Sequence, residues 1–142
     1  MLSIQRVATV SGILFILASV LGFAAAGSMQ GMMAMGSGTM LLGVFPVNVL
    51  HNLVHLAFGV WGVWAGRSAV RAIAYAFGSG AAYLLLAVVG FFTPTLLGMV
   101  PIGGYDVVLH LALAIVLAGA GFWAAWFAPA QPVARPATDT VR

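Results

Sequence analysis

Four stretches of the chain stay apolar for roughly the thickness of a bilayer: Val7 to Gly27, Val47 to Gly66, Ala72 to Phe92 and Val107 to Phe127. A spanning helix needs ~20 mostly apolar residues, so the pattern predicts four transmembrane helices within residues 1–128. Beyond them, Pro129, Pro132 and Pro136 punctuate a segment without apolar periodicity, and 129–142 is predicted to be a disordered tail. The first stretch has the outline of a signal peptide, with Arg6 in front and Ala24, Ala25 and Ala26 behind. Its apolar run is longer than a signal core, and it has a counterpart later in the chain. A retained helix is the reading.

The few charges orient the helices. Arg6 precedes the first, Arg67 and Arg71 separate the second from the third, and Arg135 and Arg142 follow the fourth. The other two loops hold no Arg, so the positive-inside rule predicts both termini in the cytoplasm. Trp61, Trp64, Trp123 and Trp126 then fall toward the cytoplasmic ends, where an aromatic belt is expected.

The pattern also repeats. Gly12, Phe15 and Gly22 of the first helix match Gly80, Tyr83 and Gly90 of the third, 68 positions on. Leu42-Gly43 with Pro46, then His55-Leu56, match Leu97-Gly98 with Pro101, then His110-Leu111, 55 positions on. Two like-oriented hairpins imply a parallel repeat about an axis along the membrane normal. Pro46 and Pro101 suit helix starts, where the missing N–H would be unpaired anyway. Gly62 and Gly66 form a small-residue pair that lets helices approach closely. The fold class is therefore all-α: a polytopic membrane protein of four helices in two parallel-repeat hairpins.

Composition confirms the solvent. Hydrophobic residues make up 63% of the 142 positions and charged ones 5%, against about a quarter charged in soluble proteins. The lipid bilayer is the first predicted partner. Five Arg, no Lys and no clustering exclude a nucleic-acid face. The absence of Cys excludes thiolate metal sites and cysteine nucleophiles. Asp106 and Asp139 are the only acidic residues, so no carboxylate pair can form within the membrane, and the chain is read as not an enzyme.

What chemistry remains lies in the outward halves of the second and fourth helices. His51 and His55 are one turn apart, as are Asp106 and His110 at the matching positions. Measured from the prolines at ~1.5 Å per residue, the pairs would lie ~7 Å and ~13 Å into the helices. Asn48 and Asn52 add amides at the same end. If the two helices are neighbours, three imidazoles and a carboxylate converge. One reading is a transition-metal site of His51, His55, Asp106 and His110, whose donors suit zinc, copper, iron or nickel. A variant takes His55 and His110 as axial ligands of haem b, although no outward Arg or Lys would meet its propionates. The third reading is a hydrogen-bonded cluster that fixes helix register.

Five of the seven Met (Met29, Met32, Met33, Met35 and Met40) share the long first outward loop. Thioethers select Cu(I), so this is a candidate soft-metal loop. The favoured alternative is a Gly/Met segment filling irregular gaps at the interface, since no His or Cys accompanies these Met residues.

The run Phe45-Pro46-Val47-Asn48-Val49-Leu50-His51-Asn52-Leu53-Val54-His55-Leu56 resembles the DUF4383 family of small four-helix bacterial membrane proteins. Asp106, His110 and Leu111 resemble that family's second signature, and the resemblance covers about residues 4 to 128. It implies the four-helix fold and the bacterial inner membrane, and supplies no activity. Two functions follow as expectations: a membrane metal- or haem-binding protein, or an accessory subunit packing against a larger membrane complex or another copy of itself.

Overall fold

A computed structural model describes residues 3–26 and 38–127. In chain order they form α1 (Ile4–Ala26), β1 (Thr39–Leu41), β2 (Phe45–Val47), α2 (Val49–Ala65), α3 (Ala69–Phe92), β3 (Thr95–Leu96), β4 (Val100–Pro101) and α4 (Tyr105–Trp126). The order is two successive hairpins, each a long helix, a small antiparallel β-hairpin and a second helix. The proposed tail, and Met29, Met32, Met33 and Met35, lie outside the described residues.

By length and hydropathy α1, α3 and α4 can each cross a membrane, and α2 is a shorter apolar helix of 17 residues. The chain is a multi-pass membrane protein. Its outward faces carry what water would reject: Leu14, Leu17 and Leu21 of α1, Leu85 and Phe91 of α3, and Val108 and Ile115 of α4 are all exposed.

The strongest packing is within each hairpin, α1 on α2 and α3 on α4, with lesser contacts of α1 to α3 and α4 and of α2 to α3. Glycines set the α1–α2 spacing. A Cβ on Gly12 would stand 2.6 Å from the Val63 nitrogen, and one on Gly62 would stand 2.8 Å from the Ala8 carbonyl. Without a hydrophobic drive between helices in lipid, such close backbone packing is what associates them. In the second hairpin the same role falls to Gly80, whose Cβ would meet the Ala118 nitrogen at 2.9 Å. The bundle centre is filled by Phe15, Tyr75, Tyr83 and Leu117 among buried alanines. Trp61 turns into this centre, against Phe58 and Tyr75, rather than out to an interfacial belt. Trp64, Trp123 and Trp126 are exposed, and Arg71 lies 4.7 Å over the Trp64 ring.

The β-hairpins are where the pattern of apolar residues misleads. Pro46 and Pro101 do not begin helices; they pair with Met40 and Thr95 as strand residues. Both occupy two-stranded edges, where a missing N–H is tolerated. Each turn closes on a backbone bond, Val44 N–H to Leu41 O at 3.1 Å and Met99 N–H to Leu96 O at 3.0 Å. The central residues have positive φ in both: Leu42 53° and Gly43 69°, Leu97 52° and Gly98 71°. Two positive φ values in succession are the signature of a type I′ hairpin. Leucine is costly there, which is why neither turn was expected. The helices consequently start later, at Val49 and Tyr105, so His51 and Asp106 lie in first turns rather than ~7 Å deep.

Candidate metal centre

The start of α2 positions the first ligand. Asn48 is its N-cap: extended backbone (φ −139°, ψ −176°) and a side-chain oxygen that accepts from His51 N–H at 2.9 Å. The other end of the same amide donates to the Met99 carbonyl at 2.6 Å, in the turn of the second β-hairpin. One side chain thus caps α2 and joins the two hairpins.

His51 makes a second crossing. Its Nδ1 is 2.9 Å from the Pro101 carbonyl, and since a carbonyl can only accept, Nδ1 carries the proton. The bare nitrogen is therefore Nε2, held in a fixed ring orientation. A backbone carbonyl on the distal nitrogen is the usual outer support of a metal-binding imidazole. Asp106 Oδ2 lies 3.8 Å from the same Nδ1. Asp106 also sits in the first turn of α4, where a negative charge meets the positive helix end.

His55, one turn on, presents its edge to His51, with ring centroids 4.6 Å apart and planes at 70°. His110 of α4 faces His51 from across the bundle at 6.3 Å. Ligand nitrogens of His51, His55 and His110 all lie within 4.8 Å of one another. At metal–nitrogen distances of ~2.0–2.1 Å, nitrogens around a tetrahedral ion stand ~3.4 Å apart. Shifts of about an ångström per ring bring these three onto one ion, within ordinary rotamer adjustment.

Of the four residues the spacing brings together, three form this group. Asp106 stands behind it, against His51. Met40 is in β1, half exposed. Pattern reasoning missed the walls of the site. Phe15 stacks on His55 at 5.8 Å with planes 5° apart, and Tyr83 tilts on His110 at 5.5 Å. The two aromatics touch each other at 5.3 Å. The signal was present, since Phe15 and Tyr83 are matched at the 68-residue spacing, as His55 and His110 are at 55.

Several buried polar atoms at this level have no hydrogen-bond partner among the described residues: Asp106 Oδ2, His110 Nδ1, the Tyr83 hydroxyl, the Ser19 hydroxyl and both ends of the Asn52 amide. Buried polar atoms normally have partners, and a cluster without them marks a place where an ion, water or ligand belongs. The donor set and this cluster fit a metal ion.

Comparison with known proteins gives the family and nothing beyond it. The family model "Domain of unknown function (DUF4383)" matches residues 5–123, so the chain belongs to that family. None of the curated proteins and none of the solved structures matches it.

Proposed function

We propose that this member of the DUF4383 family is a membrane metal-binding protein that holds one transition-metal ion between His51, His55 and His110. The observation that carries the reading is three buried or partly buried imidazoles with nitrogens within 4.8 Å. Nitrogen donors suit zinc, copper, iron or nickel. Asp106 serves from behind, through His51, offsetting part of the ion's charge in a medium of low dielectric. Haem b between His55 and His110 is the weaker form, because it gives no role to His51, whose ligand nitrogen lies within 4.8 Å of those of both.

All four helices cross the bilayer in this reading, α2 completing its span with the extended residues of β2. The hairpins are parallel repeats. The Arg distribution puts both termini in the cytoplasm of a bacterial inner membrane, with the triad toward the outer face. The role is binding rather than catalysis, since Asp106 is the sole acidic side chain of the described residues.

Metal analysis of protein purified gently in detergent tests this. About one ion per chain in the wild type, lost in His55→Ala and His110→Ala, is the expected result. No stoichiometric metal, together with a co-purifying membrane partner, would favour the accessory-subunit function instead.

A further inference from the structure

The two hairpins share a backbone plan, so differences between matched side chains at the site show what the plan itself does not require. Four of the unpartnered polar residues sit at such differences. Tyr83 is matched by Phe15, Asp106 by His51, Asn52 by Val107 and Ser19 by Ala87. Phe15 does on His55 what the Tyr83 ring does on His110, without a hydroxyl. The ring, not the hydroxyl, makes that contact. The hydroxyl adds a buried donor, on a residue 1% exposed, whose desolvation nothing among the described residues offsets.

Three imidazoles also leave a four-coordinate ion one open position. They are neutral, and Asp106 is the only carboxyl side chain among the described residues. A divalent ion there keeps net positive charge in an apolar surrounding.

We propose, on the metal-centre reading above, that the open position takes a small oxygen- or nitrogen-donor anion, and that the Tyr83 hydroxyl is the positioning residue that hydrogen-bonds it. The tyrosine interrupts the hairpin correspondence because a donor is needed on the His110 side. A fully buried O–H without a partner is prepared to give a strong, charge-assisted bond to an anion.

The test uses the full chain in detergent, loaded with Co(II), whose visible spectrum reports coordination, and titrated with azide. Wild-type protein should take about one Co(II) and change its spectrum on binding azide. Tyr83→Phe, which installs the side chain already found at the matched position, should keep its Co(II) affinity within about twofold. It should raise rather than lower its thermal midpoint, because it removes an unpartnered buried hydroxyl. Its azide affinity should fall ~10-fold, the loss of one hydrogen bond. A wild-type spectrum indifferent to azide would overturn the proposal while leaving the metal centre intact. Equal azide affinity in the two proteins would overturn the role of Tyr83. So would a phenolate charge-transfer band in Cu(II)-loaded wild type that Tyr83→Phe lacks, since the tyrosine would then be a ligand itself. Failure to take up Co(II) would instead sink the metal-centre reading and this inference with it.

Discussion

The first and second hairpins use one backbone for two different side-chain sets. Each has a long helix, a type I′-like β-turn with Leu-Gly at positive φ, and a second helix bearing histidine nine residues after the strand proline. Each covers that histidine with an aromatic ring from its own first helix. The first hairpin then adds His51, Asn52 and a capping Asn48, where the second has Asp106, Val107 and Gly103. Its helix α4 is preceded by Gly104 (φ 65°) at the N-cap, with no side-chain cap. The shared part builds a frame; the unshared part makes the site one-sided, with two imidazoles from one hairpin, one from the other, and a carboxylate behind. A symmetric dimer of hairpins could not place three nitrogens and an anion this way.

Removing a shared element should cost most. His55→Ala and His110→Ala should each lower metal affinity more than ~100-fold, beyond the 10–100-fold typical of an outer-shell change. In thermal unfolding, the double variant should lose clearly less than the sum of the singles, by ~0.5–3 kcal/mol of coupling. Additive losses would mean that the two histidines do not share a site.

The unshared position His51/Asp106 comes next. Asp106→Asn should keep the fold and weaken metal binding by ~10–100-fold, measured by competition with a chelator, as loss of an outer-shell carboxylate does. An unchanged affinity would make Asp106 a helix-start residue only.

Helix approach separates the hairpins by degree. Gly12→Ala forces a Cβ against α2 backbone at 2.6 Å and should destabilise by ~1–3 kcal/mol or more. Gly119→Ala, which meets nothing within 4 Å in the interior of α4, should match or slightly exceed the wild type in thermal midpoint. If both behave alike, the packing described for α1 and α2 is wrong.

The smallest effect should be equal in both hairpins. Leu42→Gly and Leu97→Gly relieve a positive φ at residues about four-fifths exposed, and each should stabilise by ~1 kcal/mol. Unequal shifts would show that the turns are not equivalent.

Much of this frame is legible in the residues alone. Long apolar runs place the helices to within a few residues, because length and hydropathy are what lipid demands. The pairing of His51 with His55 follows from helical spacing, whereas their meeting with His110 needs α2 and α4 to face each other, which the repeat by itself does not dictate. The β-hairpins do not follow, since Leu at positive φ defeats the usual Gly/Asn turn signal. The tautomer of His51 depends on the Pro101 carbonyl, a backbone atom no side-chain pattern reveals. Phe15 and Tyr83 read as apolar filler until their matched spacing is set beside that of the histidines. Trp61 faces the bundle centre because position along an apolar run fixes an aromatic's depth, not the face it shares.

The central claim is a single ion held by three imidazoles from two hairpins. X-ray absorption at the metal edge of stoichiometrically loaded, detergent-purified protein addresses it directly. The account predicts three imidazole scatterers at ~2.0–2.1 Å, falling to two with His51→Ala. A first shell of oxygens alone, or a spectrum unchanged by that substitution, would contradict it.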